Sequence, residues 1–378
     1  MKRRSSSFSA SVLGGALFAA VALAACGSKT GLFGPDQGNS TPQSQPEAGI
    51  VDARGPDAPP DGPVPCVPGR FDFQAATAQL MFVVDRSGSM NTTLDGQEDP
   101  LPGTSRWEVL RNGLAQTLSG FDQQIAMGAK FYPSEKFITQ FACVAESSVE
   151  LEPTLGNASK IIDVFDNTFP HGGTPTADAL RIAAEHVSKI RGVARTLVLA
   201  TDGAPNCNGD HPTSPCICTS NDPNACDNDV SNCLDDTRTI STIRDIADNQ
   251  KVPVYVIGIG SLESAAFRKV LDDMAVAGGR AKPTAPRYYS ATTPAELTSA
   301  LGSVRDSVGS CTFLTPSAPT DPNAIVVQID GQSVARDTTR TEGWDWVDQA
   351  YGTLALFGDA CKKAQGAGGK VAGVVRCN

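Results

Sequence analysis

Three apolar runs punctuate the chain: Leu80 to Val84, "RTLVLATDG" from Arg195 to Gly203, and "VPVYVIGIG" from Val252 to Gly260. None alternates with polar residues, so each predicts a strand buried on both faces. Ile125 to Phe131 predicts a further strand, and Ser148 to Leu151 and Tyr288 to Tyr289 short ones. Between the runs the apolar period changes to three or four. Trp107, Leu110, Leu114, Leu118 and Phe121 share a face over 104–121, opened by a Ser105/Glu108 capping box. Helices are likewise predicted over 158–169, from Pro175 through Ile190, around Ile240 to Ala247, around Phe267 to Met274, and from Thr293-Pro294-Ala295-Glu296 through Val308. Strands alternating with amphipathic helices predict a doubly wound, mostly parallel α/β sheet over residues 71–310.

The flanks read differently. Beyond Cys311 the runs "AIVVQI", "GWDWV", "TLALF" and "VAGVV", with one helical piece near Ala360 to Ala364, predict a small β-rich module over 311–378. Residues 26–70 are rich in Pro, Gly, Ser and Asp, with nine prolines between Gly27 and Pro68. Such a stretch cannot bury enough surface to offset its ordering entropy, which predicts a tether. If flexible, it reaches on the order of 35 Å. Residues 1–25 join a basic "MKRR" to an apolar segment from Val12 to Ala25, too short to span a bilayer and suited to a signal peptide. The segment ends in "LAAC", which resembles a bacterial lipobox. That resemblance implies a lipid anchor on Cys26 and a cell-envelope location. Gly27 after the cysteine points to the outer membrane.

Charge and cysteines narrow the function. The formal net charge is −10 over 378 residues, which argues against nucleic-acid binding. Of 11 cysteines, ten remain beside Cys26, and export favours disulfides among them. Five lie between Cys207 and Cys233, so if all ten pair, at least one bond must leave that cluster.

Candidate chemistry gathers where strands end, the place where open parallel sheets carry their sites. Asp85, Ser87 and Ser89 follow the first run, Thr174 lies in "HGGTPT" before a helix, and Asp202 follows "RTLVLAT". Two carboxylates and three hydroxyls, without a His or Cys cluster, suit Mg²⁺ or Mn²⁺.

D-x-S-x-S, G-G-T-P-T and T-D-G, in this order and on these elements, resemble the metal-ion-dependent adhesion site of a von Willebrand factor A domain spanning about 71–310. The resemblance implies Ser87 and Ser89 as direct hydroxyl ligands of Mg²⁺ (or Mn²⁺ or Ca²⁺). Asp85 and Asp202 would act directly or through water, and Thr174 would become a ligand when the site is occupied. It further implies an open position for a Glu or Asp of a protein partner. In some relatives, ligand binding moves the last helix, here Pro294 to Val308. The expected function is therefore a lipid-anchored binding protein for adhesion or envelope-complex assembly. The alternative is a metal site that is structural or engaged within the chain. An enzyme is not expected: of three histidines only His171 lies near the site, and no acid–base set accompanies Ser87. Gly172 and Gly173 are expected to let the backbone approach the ion. The insert 207–233 must emerge beside Asp202, where it would shape partner access. Zinc at Cys216 and Cys218, Ca²⁺ at Asp222, Asp227 and Asp229, and an exposed Trp344 or Trp346 are weaker readings.

Overall fold

The computed structural model describes residues 62–135, 143–211, 216–220, 224–260, 264–308, 311–366 and 369–377. The expected signal peptide, Cys26 and most of the tether lie outside them. In chain order the elements are β1 (Gly69–Asp72), β2 (Gln74–Ala75), β3 (Ala78–Asp85), α1 (Arg106–Leu118), β4 (Ile125–Tyr132), β5 (Leu151–Thr154), α2 (Ala158–Asn167), α3 (Thr176–Val187) and β6 (Arg195–Thr201). After these come α4 (Ala225–Asn228), α5 (Asp236–Asp248), β7 (Val254–Ile259), α6 (Ala265–Ala277), β8 (Tyr289–Ala291) and α7 (Pro294–Val308). The last stretch holds β9 (Thr312–Leu314), β10 (Ile325–Ile329), β11 (Gln332–Val334), β12 (Gly343–Asp348), β13 (Thr353–Phe357), α8 (Gly358–Gln365) and β14 (Val371–Val375).

The central sheet has the order β5-β4-β3-β6-β7-β8, with every pairing parallel except β4 with β5. Successive side chains of a strand point to opposite faces, and both faces here are covered. Leu80, Phe82 and Val84 of β3 pack with Leu110, Leu114 and Leu301 from α1 and α7. Met81 and Val83 pack with Leu180, Ile243 and Leu271 from α3, α5 and α6. That two-sided burial is why the strand runs are continuously apolar. Each such side chain contributes roughly 1.5–3 kcal/mol by leaving water. The chain runs from β3 outward to β4 and β5, then returns to β6 and proceeds to the other side. The carboxyl ends of β3 and β6 therefore flank the point where strand order reverses, and loops leaving there diverge and open a crevice.

The β-rich module contains two four-stranded sheets, β1-β14-β10-β11 and β12-β13-β9-β2. They enclose one core that includes Val327, Ile329, Trp344, Trp346, Leu354 and Val375. Both tryptophans are buried and meet edge to face at 5.5 Å, so neither is an exposed contact site. Their burial on β12 comes from packing on the core and from the Trp346 Nε1–H bond to the Pro322 carbonyl at 3.0 Å.

The boundary expected at residue 70 is corrected. Val64 N–H donates to the Ala350 carbonyl at 2.8 Å, Cys66 is bonded to Cys377, and β1 and β2 complete the two sheets of the module. Residues 64–75 thus fold with the C-terminal module, and the α/β core begins at β3. The remaining disulfides are Cys143–Cys207, Cys216–Cys233, Cys218–Cys226 and Cys311–Cys361. Cys143–Cys207 is the bond that leaves the cluster, as the odd count requires.

Candidate metal centre

Asp85 is the last residue of β3, and Thr201 the last of β6. Parallel register sets them side by side, and the Thr201 hydroxyl donates to Asp85 Oδ2 at 2.6 Å. The chain then turns sharply after Asp85, so the Ser87 N–H donates to Asp85 Oδ1 at 2.8 Å. This turn brings Ser87 Oγ within 3.1 Å of Ser89 Oγ, and Ser89 Oγ donates to Asp202 Oδ1 at 2.9 Å. Arg86 between them points inward. Its guanidinium donates to the Pro133 carbonyl at 2.7 Å and lies over Phe131, pinning the turn to the end of β4.

The Thr174 loop joins through its backbone. Gly88 N–H donates to the Gly172 carbonyl at 3.1 Å, and His171 N–H to the Arg86 carbonyl at 2.8 Å. Asn206 clasps Thr174 twice: its side-chain Oδ1 accepts the Thr174 N–H at 2.6 Å, and its own N–H donates to the Thr174 carbonyl at 3.0 Å. The three loops converge. Gly172, with φ of 71°, turns the chain as glycine permits. Gly173 has a different reason from the one expected. A Cβ there would lie 2.6 Å from Cys207 Sγ and 3.1 Å from Cys143 Sγ, so the bare backbone makes room for the disulfide rather than for an ion.

Sequence reasoning missed Arg106. The capping box forms, with Ser105 accepting from the Glu108 N–H and Glu108 accepting from the Ser105 N–H, both at 3.2 Å. It starts α1 so that Arg106 reaches Asp202 Oδ2 at 2.7 Å, both groups buried. Room for the guanidinium comes from Gly260, where a Cβ would sit 2.7 Å from Arg106 Nε. A cation at the first position of a helix, where the macrodipole disfavours positive charge, was the available signal.

Burial, then the Asp202 charge, pushes the Asp85 carboxyl up to about 7, against the Ser87 and Thr201 hydrogen bonds. Burial also raises Asp202, although Arg106 pulls it down. Two adjoining buried carboxylates are costly without a cation. The donor set fits a small hard one. In an octahedron with bonds near 2.1 Å, adjacent ligand oxygens are about 3.0 Å apart. The Ser87–Ser89 and Ser89–Asp202 oxygen separations, 3.1 and 2.9 Å, match that edge.

The other readings meet specific obstacles. Both ring nitrogens of His171 approach backbone carbonyls, those of Phe169 at 3.0 Å and Ser134 at 3.2 Å, so His171 is not aimed at Ser87 as a base. Cys216, Cys226 and Cys233 cluster, but as two adjacent disulfides whose sulfurs are no longer thiolates for zinc. Asp229 caps Ser231, and Asp222 lies outside the described residues. Among the described residues no helix is long and apolar enough to cross a membrane.

Residues 80–204 match the family model of the von Willebrand factor type A domain. The chain contains a von Willebrand factor type A domain. No curated protein matches it in sequence. Among solved structures, the chain is similar to the PilB minor pilin of Streptococcus sanguinis at 19% identity and TM-score 0.44, covering 61% of each chain. It is also similar to the pilus adhesin SpaC of Lactobacillus rhamnosus GG in its open conformation, at 16% identity and TM-score 0.44, covering 81% of this chain and 40% of that one. A third is the manganese-loaded TRAP protein of Plasmodium vivax, at 16% identity and TM-score 0.36, covering 61% and 76%. The chain thus spans less than two thirds of the pilin and less than half of the adhesin. Type A domains commonly bind a divalent metal and are generally not enzymes.

Proposed function

We propose that the type A domain is a metal-dependent binding module that captures an acidic side chain of a protein partner. Asp85, Ser87, Ser89, Thr174 and Asp202 would hold Mg²⁺, with Mn²⁺ or Ca²⁺ as substitutes. The observation that carries this reading is the run of hydroxyl, hydroxyl and carboxylate oxygens at octahedral-edge spacing, walled by the Thr174 loop. When bound, the cation supplies Lewis acidity toward a carboxylate oxygen. The chain supplies the rest. Thr201 and the Ser87 N–H orient Asp85, Arg106 holds one oxygen of Asp202, and Asn206 fixes the backbone of Thr174. Arg106 also alters the charge balance: two carboxylates and one guanidinium leave a formal −1, not the −2 of the carboxylates alone. A divalent ion then carries more uncompensated charge, which favours an anionic partner group.

The insert borders this site. Asn206 Nδ2–H donates to the Thr219 hydroxyl at 2.9 Å, and Cys207 N–H to the Ser231 carbonyl at 2.7 Å. We assign it the role of selecting which partner reaches the cation. A lipid anchor on Cys26 and a bacterial envelope location, facing the periplasm or the surface, complete the reading. The test is capture of partners from envelope extracts by the full chain. Expected is capture with Mg²⁺, loss in EDTA, and loss in Asp85→Ala with the fold retained. Metal-dependent thermal stability without any metal-dependent capture would instead establish a structural ion.

A further inference from the structure

At the opposite end of the central sheet, where its strands begin, a cleft lies between the type A domain and the β-rich module. It comprises cavities of about 860 and 360 Å³ that share Arg195, Lys251 and Val347 as lining. Arg195 opens β6 and Asp202 follows its end, so the cleft lies on the order of 20 Å from the metal centre.

The lining is basic in an acidic protein. Among the described residues, Arg191, Arg195 and Lys251 face one carboxylate, Asp348, in the larger cavity, and the smaller adds Arg280, Arg340 and Lys362 with no acid. Arg340 and Lys362 are answered by Asp345 and Asp359. Arg191, Arg195, Lys251 and Arg280 make no ion pair among the described residues. Arg280 instead lies over the Tyr255 and Phe357 rings.

An independent observation points to a ligand. Arg195 is 7% exposed, yet among the described residues its Nε–H has no partner, and neither has the buried Ser188 hydroxyl on the same wall. Gln79, the register partner of Arg195 on β3, leaves its Oε1 unpartnered as well. Buried polar atoms are seldom left so. Burial, then the Arg191 charge, lowers the Arg195 pKa, against the Asp348 carboxylate, which raises it. The rim adds acceptors. The side-chain amides of Asn249, Gln250 and Gln349 donate to Asp245 and to the Pro319 and Thr320 carbonyls, so their oxygens remain to accept from a ligand. Cations for an oxyanion, acceptors for hydroxyls and a volume in the range of small-molecule sites converge on one chemistry.

We propose that this cleft binds an anionic saccharide, a hydroxylated ligand bearing carboxylate or phosphate, with Arg195 and Arg191 meeting the anionic group. The proposal does not rest on the metal site. The test is calorimetric titration of the purified full chain in EDTA with trigalacturonate, glucose 6-phosphate, neutral maltotriose and triaspartate. Expected is binding of at least one of the first two and none of maltotriose; which of the two binds identifies carboxylate or phosphate. The exposed pair Arg191→Gln/Lys251→Gln should weaken that binding roughly tenfold or more. Arg195→Met should abolish it, with circular dichroism reporting the fold. Failure of both anionic sugars to bind folded protein, binding untouched by the surface pair, or triaspartate binding as tightly as the sugars would each overturn the proposal.

Discussion

The charge state of Asp85 should be visible in stability. Its carboxyl titrates at about 7 in the folded, metal-free chain against 3.8 ordinarily. Folded protein therefore takes up this proton earlier than unfolded protein as pH falls. Above about 7 both states are ionised, and the buried charge opposes folding by on the order of 4 kcal/mol. Between about 7 and 3.8 that opposition fades, and below 3.8 it is gone. Lowering pH from about 8 to about 5.5 in EDTA should then restore roughly 2 kcal/mol through this group. Other carboxylates titrate too, so the assay is a difference: urea unfolding of wild type and Asp85→Asn across that range. Asparagine keeps the shape but presents one acceptor to two donors, the Ser87 N–H and the Thr201 hydroxyl, costing about 1–3 kcal/mol at every pH. The offset between the curves is thus ambiguous, while their divergence is not. Wild type should gain on the variant by about 2 kcal/mol as pH falls in EDTA, and saturating Mg²⁺ should remove that gain. Parallel curves in EDTA would refute the reasoning.

Four further outcomes are expected. Arg106→Gln should lower metal-free stability by about 3–5 kcal/mol, because it strands a buried carboxylate, yet raise Mg²⁺ affinity; calorimetry and urea unfolding separate the two effects. Ser87→Ala and Ser89→Ala should each fold, with a melting temperature that no longer responds to millimolar Mg²⁺, read by thermal shift. Replacing Cys143 and Cys207 by Ser opens a link across 64 residues and should cost about 4 kcal/mol in chemical denaturation, while Gly173→Ala should slacken the Thr174 loop and weaken metal binding.

The α/β core was legible because burial on both faces writes itself into continuous apolar runs, and helices into a period near 3.6. The candidate site was legible because Asp85 and Asp202 sit at the ends of strands that those runs mark. What escaped has a common cause. β1 and β2 are short, follow a proline-rich stretch, and become strands only by pairing with β14 and β9, far away along the chain. At α7 the expected box is half formed: Thr293 accepts the Glu296 N–H, but the Glu296 carboxylate returns to Thr292, one residue earlier. Arg106 and the Cys143 bond touch the site from other segments, and the basic cleft exists only once two folded layers meet. Local periodicity reports what a segment buries, not which distant segment buries it.

The Cys66–Cys377 bond has a mechanical consequence. A pull on the chain ahead of Cys66 reaches β14 through sulfur as directly as it reaches β1 through backbone. Load therefore enters two hydrogen-bonded strands at once, before it can travel along the chain to β3 and Asp85. Reduce that one bond, and the same pull would first load the Val64–Ala350 and Val67–Ser317 hydrogen bonds and then unzip β1 from the Gly69–Val375 pair, delivering the tension to the loop after Asp85.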